Sequence, residues 1–123
     1  MRKYTEMELE LLNMQIGCML RLGRLKKGMS QLDLALLLGS NPTMIGRIER
    51  FENVSGWDKI LSISQQLSID FCNLFVLKTK EELLLVVEES FKLEDKLTQE
   101  KRDYYDYLKS QIINRYSLLK KKK

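Results

Sequence analysis

The chain has 123 residues, 44% of them hydrophobic and 31% charged, a composition ordinary for one folded domain or one small domain with an extension. It contains no histidine, which is the commonest general base at neutral pH and the commonest metal ligand. No glycine-rich phosphate loop follows a strand-like run, and no nucleophile–base pair is visible. The sequence therefore predicts neither an enzyme nor a bound metal or cofactor.

Glycine and proline are confined to the first half of the chain. All six glycines and the single proline lie at or before Gly56, and the 67 residues beyond it contain neither. A β-sandwich or barrel needs turn residues about every 8–12 positions. We therefore expect an all-α fold.

The formal net charge of +4 equals the contribution of Lys120 to Lys123, which we interpret as a frayed, solvated tail. The N-terminus is charged, and no stretch approaches about 18 consecutive apolar residues. We therefore expect a cytoplasmic protein that does not bind a membrane. Cys18 and Cys72 lie far apart within apolar patterns, so we expect reduced core cysteines rather than a disulfide or a metal site.

A long first helix is predicted from Glu6 to about Lys27. Thr5 and Glu8 have the spacing of a capping box, and Gly28 suits the left-handed residue that ends a helix. Apolar residues lie on two opposite sides of this helix. The first stripe comprises Leu9, Leu12, Ile16 and Leu20, and the second stripe comprises Leu11, Met14, Cys18, Leu22 and Leu25. Because both sides need a partner, we expect the C-terminal helices to pack on the second stripe, within one chain or across a dimer.

Four short helices are predicted to follow, up to residue 77. Their starts are marked by capping residues, in chain order Ser30 with Asp33, Asn41 with Pro42, Ser55 with Asp58, and Asp70. Gly39 is predicted to end the second helix, and the third runs to Arg50. From spacing we assign to the core Leu32, Leu36, Leu38, Ile45, Ile48, Ile60, Leu61, Ile63, Leu67, Leu74 and Phe75.

The rest of the chain is predicted to form one or two long helices. Thr79 and Glu82 form a further capping box, and the apolar pattern continues to about Leu119. Leu97 stands alone in a polar stretch, which favours a helical hairpin over a continuous coiled coil. The predicted organisation is a five-helix domain over residues 5–77, a helical extension for oligomerisation or packing over 79–119 and a lysine tail over 120–123.

The order of helix, glycine, Ser-Gln, short helix, glycine, turn and third helix is typical of a helix-turn-helix. Residues 16–75 resemble the phage repressor and Cro-type family, often called XRE. The matching stretches are RLGRLKKGMSQLDLALLLG, NPTMIGRIERF and KILSISQQLSIDFCNLF. The resemblance implies a sequence-specific regulator of transcription, a homodimer that binds double-stranded DNA with residues 41–50 in the major groove.

The resemblance also implies roles for individual residues. Base edges would face Pro42, Thr43, Gly46 and Arg47 of the helix capped by Asn41, while Met44 either reads bases or fills the core. Phosphate contacts are implied for Ser30, Gln31 and Arg50. An internal ion pair is implied between Arg24 and Glu49. Between residues 21 and 50 there are six basic residues against two acidic ones, which is consistent with a basic face.

Several residues depart from the family pattern. Phe51 stands where glycine is usual, Ser55 where proline is common and Gly23 where an apolar residue packs. The loop FENVSG carries Glu52 and no basic residue, although this loop often contacts phosphate in the family. These features favour an alternative, in which the chain is a protein-interaction adaptor or an antitoxin whose C-terminal helices bind a partner protein.

Overall fold

The computed structural model describes residues 3–52 and 54–121. The described residues form six α-helices and one 3-10 helix and contain no strand, so the all-α class is confirmed. The α-helices are α1 (Glu6–Lys26), α2 (Gln31–Leu38), α3 (Pro42–Glu49), α4 (Trp57–Gln66), α5 (Lys80–Leu93) and α6 (Gln99–Lys121), and the 3-10 helix (Cys72–Phe75) lies between α4 and α5.

Most of the predicted helix ends are confirmed, because local bonds determine them. Both hydrogen bonds of the capping box are present at Thr5 with Glu8, Ser30 with Asp33, and Thr79 with Glu82. Gly28 and Gly39 have φ angles of 67° and 64°, in the left-handed region that suits glycine.

Two predicted starts need correction. Helix α4 begins at Trp57 with Gly56 as its N-cap, and no side chain caps it, so the predicted box of Ser55 with Asp58 is wrong. Gly56 has the extended conformation that an N-cap requires. The N-cap therefore lies one residue after Ser55, where it was predicted. Asp70 does accept a hydrogen bond from the Cys72 amide at 3.2 Å, and the element it precedes is a single 3-10 turn.

Three predicted core residues are exposed instead. Leu32 and Leu36 lie on the outer side of α2, which buries Leu34 and Ala35. Six of the eight residues of α2 are apolar, so spacing alone does not define which side faces the core. Cys72 is exposed at the start of the 3-10 helix, whereas Cys18 is buried, and both thiols are free. Burial raises the pKa of Cys18 to about 12.

Two apolar clusters lie against α1, one for each of its stripes. The first cluster joins α1 to the short helices through Leu12, Ile16, Leu20, Leu34, Ala35, Ile45, Ile48, Ile60, Ile63, Leu67 and Leu74. The second cluster joins α1 to α5 and α6 through Leu11, Met14, Cys18, Leu83, Val87, Tyr105, Leu108, Ile112 and Tyr116. The C-terminal helices therefore pack on the second stripe within the chain, and the two predicted domains share α1.

Helices α5 and α6 form the hairpin that the isolated Leu97 indicates, with the turn at residues 94–98. Helix α6 extends to Lys121, two residues beyond the predicted end, and Lys122 and Lys123 of the predicted tail lie outside the described residues. Along residues 3–52 and 54–121, no helix is both long enough and apolar enough to cross a membrane.

A buried glutamine attaches the segment between the 3-10 helix and α5 to α1. The Gln15 side-chain amide donates to the carbonyl oxygens of Leu74 at 3.0 Å and Val76 at 2.9 Å, and its oxygen accepts from the Lys78 amide at 2.8 Å. The Tyr116 hydroxyl of α6 donates to the Lys78 carbonyl at 2.6 Å. These bonds give hydrogen-bond partners to backbone groups of residues 74–78, where the chain passes from the first cluster to the second.

Candidate nucleic-acid interface

Helix α3 presents its polar side to solvent because its apolar side is buried against α1. Ile45 and Ile48 belong to the first cluster, whereas Thr43 and Arg47 are exposed. The Asn41 side chain accepts from the Met44 amide at 2.9 Å, and so caps the helix. Pro42 occupies the first turn, where a backbone N–H would have no hydrogen-bond partner within the helix, so its absence costs nothing.

Two of the predicted base-reading residues are not freely exposed. Met44 is partly buried against the first cluster, and its sulfur accepts from the Ser40 hydroxyl at 3.2 Å. Gly46 is buried, and a Cβ atom there would lie 2.9 Å from the Arg50 guanidinium. For Met44 this contact favours the core-filling interpretation, and Thr43 and Arg47 are left as the side chains that can reach outward from α3.

The two residues at the start of α2 differ in their surroundings. Ser30 is the exposed N-cap, and its hydroxyl accepts from the Asp33 amide at 3.0 Å. The return bond from the Ser30 amide lowers the pKa of Asp33 below its ordinary value, so this carboxylate stays ionised. Gln31 is partly buried, and its side-chain amide donates to Glu49 Oε1 at 3.1 Å. Its side chain therefore already has a partner within the chain.

The ion pair that the resemblance implies between Arg24 and Glu49 is present, as part of a larger cluster. Arg24 Nε lies 2.6 Å from Glu49 Oε2, and its Nη2 lies 3.0 Å from Oε1. A second arginine, Arg21, approaches Glu49 Oε1 at 3.4 Å. Both guanidinium groups and the carboxylate are buried, so the orientation of α3 relative to α1 is fixed by charged hydrogen bonds out of solvent.

Arg21 also connects this cluster to the C-terminal hairpin. Its guanidinium carbon lies 4.7 Å from the ring centroid of Tyr104 and 5.6 Å from that of Tyr105, both in α6. Two buried arginines face one carboxylate, and the faces of these two rings add favourable cation–π contacts for the Arg21 guanidinium. The end of α3 is therefore linked through Glu49 and Arg21 to α6.

Arg50, implied as a phosphate contact, already has an acidic neighbour. Its Nε lies 2.6 Å from Glu52 Oε2, and both side chains are partly open to solvent. A pair of this kind contributes little to stability because water competes for both groups. The carboxylate of Glu52 does weaken the electrostatic attraction between Arg50 and any other anion.

A groove of about 1040 Å³ brings together four of the predicted contact residues. Ser30, Gln31, Pro42 and Arg50 line it at the starts of α2 and α3 and just beyond the end of α3, whereas Thr43 and Arg47 do not. The C-terminal hairpin contributes residues of both charges, namely Glu94 and Asp95 from the turn between α5 and α6, and Glu100 and Lys101 from the first turn of α6. The groove is therefore shared by the α2–α3 pair and the C-terminal hairpin.

Sequence reasoning counted Arg21 and Arg24 toward a basic face, but both are buried, and it missed that Arg21 and Gly17 control how α3 is held. Arg21 lies three residues before Arg24, on the same side of α1, and that spacing was a usable signal. Gly17 lies where α1 and α3 touch, and no local pattern marks it.

Comparison with known proteins gives no match to any family model, curated protein or solved structure. The functional assignment therefore depends on the residues and contacts described above.

Proposed function

We propose that the chain is a sequence-specific DNA-binding regulator of transcription, in which α2 and α3 form the helix-turn-helix of a repressor-like domain. The observation that carries the proposal is the exposure of Thr43 and Arg47 on α3, a helix whose opposite side is buried and whose end is held by Glu49. A rigid helix with a polar outer side suits the major groove, which accepts one α-helix.

Each exposed residue has a role that its chemistry supports. Arg47 can donate two hydrogen bonds to a guanine, and Thr43 can contact a thymine methyl group or donate one hydrogen bond. The amide groups at the start of α2, beside Ser30, suit a phosphate, and Arg50 suits a second one. The function has no catalytic step, because occupying an operator is enough to block or recruit the polymerase.

The experiment begins with selection of bound sequences from a random pool of double-stranded DNA. The selected site is then titrated with the parent chain, Arg47→Ala and Lys92→Ala, a control that removes an exposed cation from α5. We expect Arg47→Ala to cost about 1–3 kcal/mol at the selected site and to flatten the preference at one base pair. Lys92→Ala is expected to leave that preference unchanged.

The alternative function is protein binding as an adaptor or antitoxin. The contact that favours it is the Arg50–Glu52 pair, together with the acidic residues of the shared groove. The same titration distinguishes the two functions. A parent chain that selects no preferred sequence, or an Arg47→Ala variant that binds the selected site unchanged, would contradict the DNA-binding proposal and favour the adaptor.

A further inference from the structure

The groove of about 1040 Å³ that α2 and α3 share with the C-terminal hairpin has an exposed leucine on each of its two sides. Leu32 of α2 is 52% exposed, and Leu93, the last residue of α5, is 44% exposed. Leu36 lies one helical turn after Leu32 on the same side of α2 and is 70% exposed. We call Leu32, Leu36 and Leu93 the leucine surface. Single exposed leucines are ordinary, but several beside one groove can form the apolar centre of an interface.

The positively charged side chains that line the shared groove already have acidic partners. Each of them has a nitrogen atom within 3.4 Å of a carboxylate oxygen of the same chain. These side chains are Arg21, Arg24, Arg50 and Lys101. Their charge is therefore largely compensated within the chain, which weakens the attraction of the groove for an anion.

Three acidic residues of the shared groove keep a negative charge that is available to a ligand. Asp95 and Glu100 are exposed, and neither has an ion pair in the part of the chain that the structure describes. The Asp33 carboxylate accepts from the Ser30 amide at 2.9 Å, and this neutral partner leaves its negative charge in place. We call Asp33, Asp95 and Glu100 the acidic surface. The charges of the groove therefore favour a cationic ligand.

We propose that the shared groove binds a short amphipathic helix of a partner protein, with apolar side chains on the leucine surface and lysines or arginines opposite the acidic surface. A helix of this kind presents apolar residues at intervals of three or four positions, with polar residues beside them. That pattern matches a groove at which leucines and carboxylates lie side by side. The apolar contacts supply buried area, and the charges select the partner and its orientation.

The structure disfavours the other common ways of binding a peptide. An extended peptide adds to the edge of a sheet, and residues 3–52 and 54–121 contain no strand. A proline-rich peptide needs free aromatic faces, whereas the rings of Tyr104 and Tyr105 in this groove contact the Arg21 guanidinium. The volume of the groove lies at the upper end of the range of about 300–1,000 Å³ that is typical of small-molecule pockets, which leaves room for a helical segment.

Occupation of the shared groove would compete with DNA, a consequence that rests on the proposed function. Ser30, Gln31 and Arg50, the implied phosphate contacts, line the same groove. A helix bound there would cover them and leave no access for a phosphate group. The partner would therefore release the chain from its operator without contacting Thr43 or Arg47, which lie outside the groove.

The test begins with a phage-displayed library of random peptides of about 15 residues, a length that can form a helix on binding. Peptides are selected on the parent chain without DNA, and one selected peptide is labelled and titrated by fluorescence anisotropy. We expect the selected peptides to be cationic, with apolar residues three or four positions apart. Leu32→Ser, and Asp95→Lys combined with Glu100→Lys, are each expected to weaken binding by at least about tenfold.

Matched controls make the same kinds of change outside the shared groove. Leu85→Ser replaces an exposed leucine of α5. Glu81→Lys combined with Asp106→Lys reverses two exposed carboxylates and changes the net charge as much as the double reversal in the groove. Both controls are expected to bind the peptide like the parent. Circular dichroism checks that each variant keeps its helices.

The inference is overturned if the selected peptides are acidic or lack the apolar spacing, or if the groove variants bind them no more weakly than the controls do. It is also overturned if spermidine displaces the peptide at equal concentration, because the groove would then bind a cation alone. In a second assay, the peptide is expected to displace the selected DNA site from the parent, and simultaneous binding of both would contradict the competition. A parent chain that binds the peptide but selects no DNA sequence would refute the proposed function and leave the helix-binding groove standing.

Discussion

A Cβ atom on Gly17 would lie 2.7 Å from the carbonyl oxygen of Ile48, so α1 and α3 are in direct backbone contact. The carbonyl oxygen of Glu49 would be 2.8 Å away from the same atom. These oxygens belong to the last turn of α3 and cannot move without shifting that helix. Gly17 therefore sets the distance between α1 and the helix that carries Thr43 and Arg47.

The first prediction is that Gly17→Ala destabilises the chain, although alanine is ordinarily better than glycine inside a helix. Overpacking at a backbone contact costs about 1–3 kcal/mol, which we expect to see in urea unfolding. The control is Gly46→Ala, because the methyl group there would meet the movable guanidinium of Arg50. Equal stability of Gly17→Ala and the parent would contradict the close packing of α1 and α3.

The second prediction concerns the buried carboxylate of Glu49. Glu49→Gln leaves the guanidinium groups of Arg21 and Arg24 buried without an anion, which costs about 3–5 kcal/mol of unfolding free energy. Glu52→Gln is the control, since its ion pair with Arg50 is partly solvated and is worth about 0–1 kcal/mol. Similar losses for the two variants would show that the Glu49 cluster is not buried as described.

The third prediction concerns Phe51, which follows α3 with a φ angle of 48°. Left-handed backbone costs a residue with a side chain about 1–2 kcal/mol, and the Phe51 ring offsets this cost by packing against the second cluster. We therefore expect both Phe51→Ala and Phe51→Gly to lower stability. The glycine variant is expected to be the more stable of the two by about 1 kcal/mol. In ordinary helical or extended backbone the alanine variant would be the more stable one. Thermal unfolding of both variants measures the difference.

Phe51 and Gly23 are two positions where the sequence differs from the repressor pattern that it resembles. The resemblance implies glycine at the position of Phe51, and the positive φ angle there is one that suits glycine. At Gly23, a Cβ atom would lie 2.5 Å from Cδ1 of Ile69, so the Ile69 side chain fills the space that a larger residue would need. Neither departure disturbs the helices around it.

Much of the fold was predictable because helix ends depend on bonds between residues close in sequence. Thr5, Ser30 and Thr79 each bond to a residue three positions later, and sequence spacing is enough to find them. The two-sided pattern of α1 likewise indicated that helices would pack on both of its sides.

The rest depended on packing between distant parts of the chain. Leu32 and Leu36 were assigned to the core because α2 is apolar almost all round, and only its tertiary neighbours select the buried side. The contacts of Arg21 with Glu49 and Tyr104 span 28 and 83 positions, beyond the reach of local spacing. For the candidate interface, sequence reasoning named the residues of α3 and the Arg24–Glu49 pair, and it missed the parts that Arg21 and Gly17 play in holding α3.

The fourth prediction concerns acid. The Ser30 amide holds the pKa of Asp33 below its ordinary value, so the stabilisation from this cap is fully present above that ordinary value. It is lost as pH falls through the lowered pKa. We expect Asp33→Asn to show a smaller loss of stability than the parent over that acidic range, measured by urea unfolding at a series of pH values. An identical pH dependence in the two chains would contradict a stabilising hydrogen bond from the Ser30 amide to the Asp33 carboxylate.

The last prediction follows from the pair of Arg50 with Glu52 and tests the phosphate role of Arg50. If Arg50 contacts a phosphate, Glu52 competes for the same guanidinium, so Glu52→Gln should tighten DNA binding by up to about fivefold. Arg50→Ala should weaken specific and non-specific binding alike and reduce the salt slope by about one unit.

The double variant makes the test specific to this pair. Once Arg50 is replaced, Glu52→Gln can release no guanidinium, and its remaining effect is the loss of one negative charge near the DNA. The gain from Glu52→Gln should therefore be smaller in the Arg50→Ala background than in the parent, when both are titrated against the same DNA at several salt concentrations. An equal gain in the two backgrounds would mean that Glu52 acts only through its own charge, and Arg50 would then lose its place among the DNA contacts.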